Sequence, residues 1–217
     1  MNFKELSEKR HTIKSYLPNN GITDEELQKI LEAVYLAPSS NNLQDTNILV
    51  IRDQKLKEEI ANDFESFNTQ NVKDASALFL FVGTPFKMQM LNNGQSIYNA
   101  TMKFLDIPEA DRQKMKEGVL QYYGTISEST DLVHIINTTI KFSFTMLAAT
   151  ELGYGSTPML GMQKCKLKKT LINKGMMKQG QEVILALTIG VPTPNDARNK
   201  AQANRIRLPF EETYKIY

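Results

Sequence analysis

One cysteine, no tryptophan and only two histidines stand among the 217 residues. Cys165 has no partner for an intramolecular disulfide, which fits a reducing compartment. His11 and His134 lie far apart in sequence, so with one thiol there is no credible metal site. Cys165 is followed by Lys166 but has no apparent histidine partner, which argues against a thiol mechanism. Neither G-x-G-x-x-G nor G-x-x-x-x-G-K-[ST] occurs, removing the two common glycine-rich phosphate cradles. Long apolar runs are also missing. "ALFLFVG" from Ala77 and "VILALTIGV" from Val183 are too short to span a bilayer and read as buried strands. The first ten residues, "MNFKELSEKR", are polar and carry no apolar leader. The net charge of +2 is too small for a nucleic-acid-binding face. A cytoplasmic protein with no membrane or nucleic-acid partner is the expectation.

What remains is globular: 41% hydrophobic and 23% charged residues, in a length suited to one domain over 1–217 with a substantial core. Thr23 and Glu26 form a capping box, and Leu27, Ile30, Leu31 and Val34 make one apolar stripe, which predicts a helix over 23–37 ended by Pro38. Strands are predicted at 47–51, 77–83 and 183–190, and charged helices at about 54–64 and 166–174. Residues 65–76 read as a polar connector. Residues 84–128 read as an excursion covering something, with a short helix near 109–117. Residues 131–152 form a helix apolar around most of its circumference, suited to a core or subunit interface, with Gly153 as its left-handed stop. His134, on this helix, reads as a core histidine. A polar tail follows Pro192, and a tail so poor in apolar residues needs a surface to lie on, for which a partner subunit is the natural candidate. The fold class is α+β.

Four patches are unusually polar for their positions: "RHTIK" (10–14), "PSSNNLQ" (38–44), "NTQN" (68–71) and "RIRLP" (205–209). Arg10, Arg205 and Arg207 offer planar forks for bidentate phosphate binding, with Lys14 as a further point charge. Ser39, Ser40, Asn42, Asn68 and Asn71 offer neutral donors and acceptors for a heterocycle rich in carbonyls and ring nitrogens.

From Arg10 to Pro209 the chain resembles the nitroreductase family, the FMN-dependent enzymes that oxidise NAD(P)H. "EKRHTIKSY" resembles the family's opening Arg-x-Ser-x-Arg/Lys, with Thr12 in the Ser place. "ILEAVYLAPSSNNLQ" resembles its Ala-Pro-Ser-Ser-x-Asn-x-Gln segment, "ELGYGSTPMLGM" the turn after the central helix, and "RIRLP" the closing Lys/Arg-x-Arg-x-Pro. The resemblance implies a mostly antiparallel sheet flanked by helices, a long buried dimer helix, and a C-terminal tail exchanged with a partner subunit. It implies that Arg10, Thr12, Arg205 and Arg207 hold the FMN phosphate, with His11 contributing through its backbone. Lys14 would face the flavin near N1 and the C2 carbonyl, where a cation supports negative charge on the reduced ring. Asn68, with Asn71 nearby, would meet the pyrimidine edge, and Pro158, Leu160 and Gly161 would line the ring. Ser39, Ser40 and Asn42 would come from the second subunit of a homodimer.

The implied activity is ping-pong transfer of a hydride from NADH or NADPH, through FMN, to a nitroaromatic, quinone or similar conjugated electrophile. No dedicated acid or base is expected. Tyr122 and Tyr123 are candidates to stack on a planar substrate, with core or interface positions as the other reading. The chain departs from the family pattern at three places: Asp45-Thr46 replaces Pro-Trp, Asn71 replaces a basic residue, and Leu160 replaces Glu. Rival readings are a flavin sensor or reservoir, a same-fold relative acting in dehalogenation or flavin fragmentation, and a dimeric α+β protein with basic ends and no cofactor.

Overall fold

The structure is a computed structural model that describes residues 1–18, 20–91, 108–125 and 127–217. Its centre is a four-stranded antiparallel sheet in the order β1-β2-β4-β3, with β1 at Thr46–Ile51, β2 at Ala77–Gly83, β3 at Gly155–Met159 and β4 at Glu182–Gly190. Helices cover both faces, which explains why β2 is apolar at every position. Leu78, Leu80 and Val82 face one cluster, with Ile60 of α3 (Gln54–Ala61), Val72 of α4 (Ser66–Asp74) and Leu167 of α8 (Lys164–Asn173). Ala77, Phe79 and Phe81 face the other, with Ile30 and Val34 of α2 (Asp24–Tyr35) and Phe142 of α7 (Ser127–Glu151). Phe81 and Phe142 meet edge to face at 5.2 Å.

The α2 capping box is present: Thr23 Oγ1 accepts from Glu26 N, and Glu26 accepts from Thr23 N. Ile30 and Val34 are the buried part of its stripe, each contributing about 1.5–3 kcal/mol. Gly153 ends α7 at φ +90°. The 20 residues Leu132–Glu151 are long and apolar enough to cross a membrane, by length and composition. In this fold they lie across the sheet and against α2, the place of a core helix.

Several expectations need correction. The connector 65–76 is mostly helix α4, whose buried face includes Asn68 and Asn71, so no apolar stripe betrays it. A first helix, α1 (Phe3–Lys9), closed by its own Asn2–Glu5 capping box, precedes Arg10. The excursion contains a short helix, α5 (Phe86–Gln89), and the helix near 109–117 runs on as α6 (Glu109–Thr125). Residues 92–107 of that excursion lie outside the described residues. The short strand β3 lies where the sequence suggested only a turn. The tail after Pro192 carries one further helix, α9 (Ala197–Ala203).

Two details of the sheet shape its surroundings. Between Phe81 and Val82 the β2–β4 register slips: Phe81 faces Leu185 and Val82 faces Val183. Ile184 is therefore the extra residue of a β-bulge, and Val183 and Leu185 point to opposite clusters. At the other edge, residues 12–16 run beside β3. Thr12 bridges Ser156, Ile13 N donates to Ser156 O at 3.0 Å, and the Tyr16 hydroxyl is buried on Thr157 and Thr188. Gly155 leaves room for this, since a Cβ there would fall inside the Ile13 side chain and 2.8 Å from Pro192 Cγ. Gly155→Ala is expected to cost about 1–3 kcal/mol by overpacking. Thermal melting should show this as a fall of roughly 2–12 °C.

Candidate functional site

The 12–16 segment brings the basic cluster to the edge of the sheet. Arg10 is the C-cap of α1 and half-buried against α7, its Nη1 3.8 Å from Met146 Sδ. Arg205 Nη1 donates to Ser7 O at 2.6 Å and Nη2 to Glu8 O, so it satisfies the last carbonyls of α1 and stands beside Arg10. Burial, and then the charges of Arg205 and Arg207, lower the Arg10 pKa from its ordinary value. Among the described residues none of these three guanidiniums has a carboxylate within ion-pair distance. Three mutually repelling cations therefore stand together without an internal counter-charge, an arrangement with the chemistry to accept an external anion.

Next to this cluster the backbone is fixed from the far end of the chain. Asn199, buried in α9, accepts from Lys14 N at 2.7 Å and from Ser15 N at 3.1 Å, and donates to Ser15 O at 2.9 Å. Asn199 is a site-building residue that sequence reasoning missed; an asparagine in a polar tail carries no periodic or motif signal. His11 keeps its ring on local backbone, with Nδ1 2.9 Å from Lys9 O, in line with a backbone role.

Further along β3 lies a second polar ledge. Asn68 Nδ2 donates to Gly161 O at 3.0 Å, and Glu65 N donates to the same carbonyl at 3.1 Å. A Cβ on Gly161 would lie 2.8 Å from Asn68 Nδ2 and from Phe67 Cζ, so a larger residue would have to displace both side chains. Asn71 is buried, and its Nδ2 has no hydrogen-bond partner. A buried, unmatched amide donor costs about 1–3 kcal/mol, a cost removed by a ligand that accepts from it. Pro158 and Leu160 are exposed beside this ledge. From Ser156, opposite Thr12, to Met159, the last residue of β3, is about 10 Å at roughly 3.3 Å per residue, and Gly161 follows in the turn. The edge thus presents cations at one end and amide donors at the other, which suits a ligand with an anionic group and a planar ring of acceptors.

Leu160, 66% exposed, is also part of the wall of a cavity of about 390 Å³ lined by Ile135, Val183, Ile184 and Leu185, with Lys164 and Lys168. The bulge residue Ile184 belongs to this wall because it is displaced from the alternation of β4. Cys165 also lines the cavity and is exposed.

The loop of Ser39, Ser40 and Asn42 is not brought to the arginines within one chain. It is fastened to α7 at Asn137, whereas Arg10 touches α7 at Met146, nine residues or about 13 Å further along the helix. Tyr123 is 1% exposed, its ring against Phe86 and its hydroxyl on Ser40, so the core reading holds for it and substrate stacking does not. Tyr122 is half exposed, stacked edge-on against Tyr123. His134 is buried in α7 with Nε2 3.2 Å from Glu182 Oε2, a core position with Nδ1 unmatched.

A four-stranded antiparallel sheet between helices, with basic and amide-bearing residues along one edge, defines an α+β protein. The chain belongs to the Nitroreductase family, whose sequence model matches residues 8–191. It is 27% identical over 190 residues to MhqN of Bacillus subtilis (strain 168), provisionally named an NAD(P)H nitroreductase, covering 87% of each chain. A chain from Exiguobacterium sibiricum 255-15, provisionally named a nitroreductase and solved in complex with FMN, is 25% identical with a TM-score of 0.80, covering 100% of this chain and 98% of that one. A nitroreductase-like protein from Streptococcus mutans has the same fold at a TM-score of 0.82 and 20% identity, over 99% and 98% of the two chains.

The anion site can be checked without any cofactor. Inorganic phosphate at about 100 times its Kd is expected to add about 2.7 kcal/mol of stability, roughly 5–10 °C in melting temperature. Chloride at equal ionic strength should not, and Arg207→Ala should abolish the difference.

Proposed function

We propose that this chain is an FMN-dependent oxidoreductase that takes hydride from NADH or NADPH and reduces a conjugated electrophile by a ping-pong mechanism. The observation that carries this reading is the convergence of Arg10, Arg205 and Arg207 at one end of an edge whose other end holds Asn68, Gly161 and the unmatched Asn71 amide. The residues present fit FMN: guanidinium forks for the phosphate, and amide donors and acceptors for the pyrimidine edge. When bound, FMN supplies the hydride-accepting and hydride-donating chemistry that no side chain here can provide.

The chain's own residues then have distinct tasks. Arg10, Arg205 and Arg207, with Thr12, neutralise and orient the phosphate. Lys14, its backbone clamped by Asn199, sets a cation near the pyrimidine, where negative charge grows on reduction. Asn68 and Asn71 orient the ring edge, and the Pro158–Gly161 turn lines one face. With Asn71 in place of a second cation, the charge on the reduced ring rests more heavily on Lys14.

Substrate class follows from Leu160. An exposed leucine on the wall of an apolar cavity favours an apolar acceptor such as a quinone or other conjugated electrophile over one that needs a carboxylate to order it. A homodimer completes the site. The separation of the 38–44 loop from the arginines in one chain supports its delivery to a partner's flavin. Exposed Leu132, Ile136 and Phe144 on α7, and Ile206, Leu208 and Phe210 on the tail, supply apolar area for that interface.

The protein loaded with FMN and desalted should be yellow and should bleach with NADPH or NADH without oxygen. Yellow protein that does not bleach would favour a sensor or reservoir, and colourless protein would overturn the reading. Arg207 is exposed in the single chain, and Arg207→Ala should weaken FMN binding by about 1.5–3 kcal/mol, the worth of a charge-assisted hydrogen bond. Lys14→Met should retain the fold and slow flavin reduction about tenfold or more, read by stopped-flow absorbance.

A further inference from the structure

The loop between α2 and β1 has an unusual backbone. Asn41, Asn42 and Gln44 all adopt left-handed conformations, at φ 47°, 52° and 48°. Asparagine enters this region more readily than other side chains, but Gln44 pays about 1–2 kcal/mol, and three such residues within four positions need support from their surroundings.

The surroundings do this through buried polar contacts. Asn137, inward on α7, donates to both carboxylate oxygens of Asp45 at 3.1 and 2.9 Å and accepts from Ser40 N at 2.9 Å. Asp45 in turn accepts at its backbone carbonyl from Thr84 N at 2.7 Å. On the other side, the Tyr123 hydroxyl of α6 sits 2.5 Å from Ser40 Oγ and accepts from Asn41 Nδ2 at 3.1 Å. Leu43 fills the space between, packed with Phe86, Tyr123 and Val133.

The arrangement is costly. Burial raises the Asp45 carboxyl above its ordinary pKa and lowers the Lys141 ammonium below its own, each against the pull of the other's charge. A hydrophobic core would not need such a network, and strain held this firmly belongs to a site that uses the shape.

We propose that Tyr123, Asn137 and Asp45 are positioning residues that hold the 38–44 loop in its left-handed shape, so that flavin affinity depends on side chains that never touch the flavin. This rests on the FMN reading above and on the loop's place at a partner's flavin. It gives Tyr123 a function different from substrate stacking: it couples α6, part of the excursion, to the flavin loop through one hydroxyl. Asp45, where the family pattern has proline, is the anchor that orients Asn137.

The test compares FMN dissociation constants, by fluorescence quenching, with melting of the FMN-free protein, for wild type, Tyr123→Phe, Ser40→Ala, their double variant and Arg207→Ala. Tyr123→Phe removes one oxygen and keeps the ring. It is expected to raise Kd about three- to tenfold with little change in FMN-free melting. The double variant should lose no more affinity than the worse single variant, the mark of a shared contact. Asn137→Ala, which strands the Asp45 carboxylate, should act more strongly, but the phenol variant keeps the test open if Asn137→Ala does not fold. If wild type binds FMN and Arg207→Ala weakens it while Tyr123→Phe leaves Kd unchanged, or lowers stability alone, the positioning role is wrong and the FMN reading stands. If wild type fails to bind FMN, both fall.

Discussion

The candidate site depends on one docking event, the alignment of residues 12–16 with the outer edge of β3. Every contact that makes this alignment is short-range and exacting. Gly155 has no side chain to obstruct Ile13, Tyr16 spends its hydroxyl on two threonines, and Asn199 saturates the backbone of Lys14 and Ser15. Without the alignment Arg10 would be a surface residue at the end of a seven-residue helix. With it, Arg10 is half-buried between α7 and two more arginines, and positive charge is concentrated at one end of the edge.

A second constraint is the polar content of α7. The helix is apolar enough to read as a core element, yet Asn137, Thr138 and Thr145 are buried on it, and Lys141 reaches Thr46 O at 3.3 Å. Thr138 meets Thr46 across the sheet edge at 2.9 Å. Polar groups in such a place are tolerated only when each finds a partner: Thr145 uses Lys141 O of its own helix, while Asn137, Thr138 and Lys141 use the loop and strand that follow α2. The helix therefore sets the position of the loop as well as the packing of the core. Its outer face keeps Leu132, Ile135, Ile136 and Phe144 exposed, so the polar residues that order the chain are on the inner side.

The strong elements were legible in the sequence because each had a local cause. Continuous apolar runs marked β2 and β4, and the Thr23–Glu26 box marked the start of α2. What escaped detection was built on non-local pairing. The β3 segment "GSTPM" contains a glycine and a proline and is a strand because it lies at an edge against β4. Helix α4 hides because two of its three buried residues are asparagines, Asn68 and Asn71, beside the single apolar Val72. At the site, the arginines were legible as a chemical type, and the family motifs gave their order. Asn199 was not, since its importance lies only in being near Lys14, 185 residues away. Tyr123 was visible as an aromatic residue, but its hydroxyl's partner on Ser40 comes from long-range folding.

The contact of Arg205 with the carbonyls of α1 spans 198 residues of sequence. Closing a loop of that length is slow and comes late, because non-local contacts repay their entropy only once most of the structure exists. The basic cluster is thus a property of the folded chain and of neither end alone: Arg10 meets its guanidinium neighbours only where the last residues return to the first helix.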